Sequence, residues 1–518
     1  MFLGTPAEVY LYGLEYSIQL IGVLFAFILA AVIVAPLYHP LKVTTCYEYY
    51  YIRYGTNSVR YLGVMIGTLY YTIYIAVVLK GAALALEATS GLPVWLTIII
   101  FVSASTTYTS LGGMKAVIWT DVFQSIVMMA GVIAVFVKCL TSIGGVSNLS
   151  EVGEERLNVI DFNPDPTERH TFWTLVLGSI PQYFYTSMTQ AGVQRMISTP
   201  NLRTARMMIY IAAPLYCIVW LISMFLGVAI FAYVQRNGCD PISSGDIENP
   251  NQIVPFIMME LFNKFRGVPG LFIAALTAAS LSTISSALNG LAAVACIDVL
   301  KVAKPDITES TATKLSKVFV VMFGLISLTL AFILTNVEGP LGQIMAGFTG
   351  AVAGPETGIF LVSVFFRRSR PKAVIISALT VLALSLWLML GHTFSPGVKQ
   401  TPHLPLGPID NCYIPDNITA NESLVETSFV STSQMYVNYT STSIYSLKIS
   451  NTSSPGLTDT NTSRSVLDSL YSLSYMYFHL LGTILTVVLA TITSLLTQPK
   501  QHVESNDPCT ISLTNVEN

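Results

Sequence analysis

The chain has 518 residues and a net charge of −3; 53% of its residues are hydrophobic, 11% are charged, and its mean hydropathy is +0.61. A soluble domain carries about 25% charged residues, so a water-soluble enzyme and a wholly disordered chain are both excluded. The small net charge gives no footing for nucleic acid or a polybasic anchor, and apolar runs of about 20 residues recur along most of the chain, which fits a polytopic membrane protein.

Eleven spanning helices are predicted, over residues 10–38, 61–90, 94–111, 117–139, 171–192, 207–234, 268–298, 316–336, 342–366, 372–392 and 473–497. The first run is too long for a signal peptide and has no basic flank. With 393–472 placed outside, alternate loops gather Lys42, Arg53, Arg60, Lys115, Arg195, Arg203, Arg206, Lys301, Lys304, Lys314, Lys317, Arg367, Arg368, Arg370 and Lys372. The opposite loops hold about half as many, which puts the first set and the C-terminal tail in the cytoplasm. Glycosylation sequons at Asn148, Asn417, Asn421, Asn438, Asn451 and Asn461 all fall outside on this topology. The domain reading is a transporter core over 1–392, a glycosylated and poorly ordered extracellular loop over 393–472, a last spanning helix over 473–497 and a polar tail over 498–518.

The seven cysteines are scattered without metal or redox spacing. Cys239 and Cys412 fall on the same outer side and are candidates for pairing. His170 and His479 lie near helix ends without a nucleophile or metal partner in sequence, and read as interfacial. No catalytic constellation appears, so the chain is not read as an enzyme.

Polar exceptions within the apolar helices carry the functional reading. The 268–298 helix packs Thr277, Ser280, Ser282, Thr283, Ser285 and Ser286 into ten residues. Hydroxyl and carbonyl oxygens are hard ligands suited to Na⁺. Ser282, Thr283 and the carbonyl of Ala279 one turn earlier form a candidate set; close helix packing through small residues is the alternative. In 171–192, Gly178 and Pro181 either break the helix mid-membrane and free backbone groups for a solute, or only kink it. Gln182, Tyr183, Tyr185, Thr186 and Gln190 add hydrogen-bonding capacity there. Lys80 either snorkels outward or serves as counter-charge to an anionic solute. Glu356 either faces water or a cation, or stays protonated or paired with a polar neighbour.

Several stretches then resemble the sodium:solute symporter family. Tyr108-Thr-Ser-Leu-Gly-Gly-Met-Lys-Ala-Val-Ile-Trp-Thr-Asp-Val-Phe-Gln124 is the most specific, followed by Asp161-Phe-Asn-Pro-Asp-Pro-Thr-Glu-Arg-His-Thr-Phe-Trp173. Val193-Gln-Arg195, Gly267-Val-Pro-Gly-Leu-Phe272, Ser280-Leu-Ser-Thr-Ile-Ser-Ser-Ala-Leu-Asn289, Gly339-Pro-Leu-Gly-Gln343 and Tyr471-Ser-Leu-Ser-Tyr475 continue in the family's order. The chain looks closest to the animal branch that carries monocarboxylates, the vitamins biotin and pantothenate, or iodide.

The resemblance implies an all-α, leucine-transporter-type fold of two inverted five-helix repeats. It implies sodium as the co-transported ion, held by Ala279, Ser282 and Thr283 with no other metal, and a solute cavity lined by Tyr74, Tyr183 and Gln343. Family members place two more helices before the first one here. About eleven spanning helices are therefore expected, with the first core helix missing and Met1 falling just after it, as in an N-terminally truncated chain. Lys80 stands where relatives have an aromatic or neutral residue, Glu356-Thr357 replaces an apolar pair, and Thr189 replaces an asparagine.

The functional expectation is a plasma-membrane symporter that imports a small organic anion with Na⁺ by alternating access. Moving one charge through 100 mV is worth about 2.3 kcal/mol, so two or more Na⁺ per monoanion are expected, with net current. The rival readings are a transporter of a neutral solute and a truncated, non-transporting regulatory membrane protein.

Overall fold

The computed structural model describes residues 2–111, 114–152, 154–265, 267–337, 339–395, 398, 401–412 and 466–497. Among these there are helices and connecting segments but no strand. That follows from the apolar composition: in lipid a segment must satisfy its own backbone bonds, which a helix does alone.

The principal helices, in chain order, are α1 (Gly4–Tyr12), α2 (Leu14–Leu41), α3 (Glu48–Tyr54), α4 (Asn57–Ser90), α5 (Val94–Leu111), α6 (Met114–Ile143), α7 (Phe172–Met188), α8 (Gln190–Ile197), α9 (Leu202–Asn237), α10 (Ile253–Leu261), α11 (Val268–Ala303), α12 (Glu309–Thr335), α13 (Leu341–Phe365), α14 (Pro371–Phe394) and α15 (Tyr477–Leu496). Among the described residues, nine helices are long and apolar enough to cross a membrane. The expected spans at 94–111 and 171–192 are the two that fall short. The apolar stretch of α5 is short, Val94–Ser110, and 171–192 is divided between α7 and α8.

Of the two readings of Gly178 and Pro181, a break and a kink within a continuous helix, the break is not seen. Helix α7 runs through Pro181 unbroken, and the chain turns extended at Thr189 (φ −64°, ψ 159°). A proline removes one backbone donor, which a helix can tolerate as a kink. Gly178 serves packing instead: a Cβ there would sit 2.4 Å from the carbonyl oxygen of Met476, so only glycine lets the two backbones approach. A similar contact joins α13 to α15, where a Cβ on Gly354 would lie 2.7 Å from the His479 carbonyl and one on Gly482 3.1 Å from the Gly354 Cα. Small residues at such crossings let helices meet by van der Waals packing.

The face at the C-terminal end of α9 is bound by covalent and polar links. Cys239 and Cys412 form a disulfide. The segment 401–412 is docked rather than loose: Leu404 N–H donates to the Leu11 carbonyl (2.8 Å), Gly407 N–H to Asp240 Oδ2 (2.6 Å) and Asn411 N–H to the Gly238 carbonyl (2.9 Å). Asn148 is placed with its Nδ2 donating to the Ile143 carbonyl (2.7 Å). The sequons at Asn417, Asn421, Asn438, Asn451 and Asn461, and the tail 498–518, lie outside the described residues.

Candidate functional site

A cavity of about 530 Å³ opens between α4, α6, α7, α8 and α11. Tyr70, Tyr71 and Tyr74 line it from α4, Thr189 and Arg195 from the broken α7–α8 pair, and Ala279, Ser282 and Thr283 from α11. The three residues whose spacing suggested a shared set, Ala279, Ser282 and Thr283, thus line the same cavity as Tyr74. The helical register explains it: positions 279, 282, 283 and 286 share one face, and all four line this cavity.

The local chemistry suits a hard cation. Thr283 Oγ1 donates its proton to the Ala279 carbonyl at 2.9 Å, so the hydroxyl's lone pairs stay available as acceptors. The break at Thr189 adds polar groups on the facing wall; its hydroxyl caps α8 by accepting from Gly192 N–H. Among the described lining residues Arg195 is the charged one, and it is exposed at the Lys/Arg-rich end.

Gln343 lies elsewhere. It lines a second cavity of about 260 Å³ with Tyr12, Arg169 and Tyr475. Arg169 is the knot of that region. Its Nε and Nη2 both meet Glu8 Oε1, at 2.8 and 2.6 Å, and its Nη1 donates to Gln343 Oε1 at 2.8 Å. Its guanidinium lies 4.0 Å from the centre of the Tyr12 ring and 5.0 Å from that of Tyr475, as a cation over aromatic faces does. His170 Nε2 completes the group, 3.0 Å from the same Glu8 oxygen and 3.2 Å from the Tyr475 hydroxyl. Burial pushes its imidazole below the ordinary value while Glu8 pulls it up.

Tyr183 lines neither cavity. It packs edge-on against Tyr216 (5.7 Å) and Trp220 (6.1 Å) of α9. Lys80 also stands apart. It is 2% exposed, and its Nζ donates to the carbonyls of Leu334 (3.0 Å) and Val337 at the C-terminal end of α12. The amine therefore does not snorkel outward; it donates to carbonyls at a helix end, beside the backbone bond that Leu334 already accepts from Val337 N–H (3.1 Å). Glu356 is buried, with Oε2 accepting from the Tyr185 hydroxyl at 2.6 Å. This is the polar-neighbour alternative of the sequence reading. Lys80 and Glu356 have separate partners.

Two histidines correct the interfacial reading. His170 and His479 are 5% and 3% exposed. His479 Nε2 meets Thr357 Oγ1 at 2.9 Å inside the α13–α15 contact. Their partners are 162 and 122 residues away in sequence, so local spacing carried no sign of them.

At the Lys/Arg-rich end, a clasp absent from the sequence reading ties the 42–47 turn to the cavity walls. Gln190 Oε1 accepts from Cys46 N–H (2.8 Å) and its Nε2 donates to the Thr44 carbonyl (3.1 Å). Asp298 accepts from Thr45 Oγ1 (2.7 Å) and Arg60 Nε (2.6 Å).

Residues 1–380 match the sodium:solute symporter family. The human sodium-coupled monocarboxylate transporter 1 is 30% identical over 96% of this chain and 77% of its own length. The rabbit (Oryctolagus cuniculus) sodium-dependent multivitamin transporter is 32% identical over 96% of this chain and 73% of its own. A Na⁺-coupled sialic acid symporter, solved in a substrate-bound outward-open state, superposes with a TM-score of 0.69 at 20% identity, covering 97% of this chain and 88% of that one. That likeness shows the fold, the leucine-transporter type expected from the motifs. The chain belongs to the sodium:solute symporter family, is a multi-pass membrane protein, and moves a solute together with sodium.

Proposed function

We propose that the transported solute is a small organic anion, a monocarboxylate or a carboxylate vitamin, imported across the plasma membrane. The observation that carries this reading is the cavity itself. It combines tyrosine and serine/threonine hydroxyls with Arg195 as the charged group among its described lining residues, a lining that welcomes a carboxylate. Relatives named for monocarboxylate and multivitamin transport support the same class.

Na⁺ is held by Ser282, Thr283 and the Ala279 carbonyl, and the solute binds beside Tyr74 on the opposite wall. Gln343 stands at the far end of the pathway, where its hydrogen bond to Arg169 closes the disulfide-bearing side. Tyr183 borders the route through its contacts with Tyr216 and Trp220. The extended residue Thr189 divides α7 from α8, so the two halves of this broken helix can move separately as access alternates. The disulfide-bearing side, with the sequons, is extracellular, and the C-terminus is cytoplasmic.

The test is uptake by cells expressing the chain, with simultaneous current recording. Carboxylates compete and sugars do not, and the current is inward. Competition by sugars alone would assign a neutral solute; uptake without current would reject two or more Na⁺ per monoanion.

A further inference from the structure

A pocket of about 340 Å³ lies at the Lys/Arg-rich end, between the end of α5, the end of α11 and the start of α12. It is separate from the solute cavity and from the clasp around Asp298. Lys301, Lys317 and the carboxylate of Glu309 line it, together with the hydroxyl residues Ser110, Thr313 and Ser316. Thr109 lines it too, 94% buried, and its hydroxyl has no hydrogen-bond partner among the described residues. Over 301–317 four lysines face two acidic residues.

We propose that this pocket binds the phosphate-bearing headgroup of an anionic phospholipid. Ammonium groups and hydroxyls are the donors that phosphate oxygens accept from, and basic pockets between spanning helices on the cytoplasmic side suit such headgroups. The lipid, rather than a free phosphate, is selected by what adjoins the pocket. On α12, directly beyond Lys317, Val318, Val321, Met322 and Leu325 are 58%, 47%, 40% and 56% exposed. They form a stripe at helical spacing along which acyl chains can lie. The existing pair of Lys301 with Glu309 (2.7 Å) does not block the site. The Glu309 side chain is 85% exposed, and a pair so open to water is weak.

The experiment uses the full chain purified into phosphatidylcholine nanodiscs and measures binding of fluorescent phosphatidylinositol 4,5-bisphosphate. Lys301→Ala/Lys317→Ala is expected to weaken binding about tenfold or more. Ser316→Trp, which fills the pocket without changing charge, is expected to do the same. Lys372→Ala, on the same face but outside the pocket, binds as the parent. Unchanged affinity in the double lysine variant and in Ser316→Trp would overturn the proposal. An equal loss in Lys372→Ala would reduce it to diffuse surface charge. Soluble inositol 1,4,5-trisphosphate binding as tightly as the lipid would assign the pocket to a free phosphate and overturn the lipid as its occupant.

Discussion

Replacing Glu8 with glutamine removes the counter-charge of Arg169 while keeping the side chain's size. Glu8 is 1% exposed and Arg169 8%. Two guanidinium nitrogens share the one oxygen Oε1 at 2.8 and 2.6 Å, while Glu8 Oε2 has no hydrogen-bond partner among the described residues. The pair is therefore tight but not saturated. Breaking a buried pair from one side costs about 3–5 kcal/mol, because the remaining charge stays buried. Replacing both partners removes that penalty, so Glu8→Gln/Arg169→Met should cost less than the two single variants together, with a coupling of about 2 kcal/mol or more. The assay is the thermal midpoint of the purified full-length protein in detergent, followed by fluorescence-detected gel filtration. A protein of this size does not melt in two states, so the ranking of midpoints is the readout. Each single variant should fall well below the parent, with the double variant above their summed loss. Strictly additive losses, or a parent-like midpoint for Glu8→Gln, would refute the reasoning.

Further outcomes follow from the same geometry. His170 has a folded-state affinity for protons below the ordinary one, so the unfolded chain binds the proton first. Stability should then fall as pH drops through about 6.5, and His170→Gln should flatten the melting midpoint across that range; an unchanged pH profile in the variant would contradict the burial argument. Lys80→Met should lower the thermal midpoint, because the carbonyls of Leu334 and Val337 lose the hydrogen bonds donated by the buried amine, while leaving the half-saturating solute concentration near that of the parent. The exchange Lys80→Glu/Glu356→Lys should not rescue uptake lost in either single variant, since the carbonyls around position 80 cannot accept a carboxylate; rescue would mean that the two side chains pair during the cycle.

The helices were legible because each must be apolar along its length to lie in lipid, and the cavity-lining hydroxyl face of α11 was legible because six hydroxyl residues crowd ten positions of an otherwise apolar run. At Gly178 and Pro181 the unbroken alternative holds, and the break at Thr189 was not foreseen. Glycine and proline are strong local punctuation, yet Gly178 answers to the Met476 backbone across a helix contact, and the extended residue is Thr189, whose type gives little warning. The Glu8–Arg169–His170 knot was invisible because its members come from segments 161 residues apart, and nothing in local spacing joins them. Lys80 illustrates the same limit: a lysine within an apolar helix signals a need for partners, but only the fold shows that helix-end carbonyls supply them.

The most direct test of the account is Na⁺ activation of carboxylate uptake in the parent and in Ser282→Ala/Thr283→Ala. If these hydroxyls and the Ala279 carbonyl hold the coupling ion, the half-activating Na⁺ concentration should rise about tenfold or more in the variant, a loss of at least about 1.4 kcal/mol of binding, with surface delivery unchanged. An unaltered Na⁺ dependence in a correctly delivered variant would contradict the assignment and move the ion to another part of the cavity.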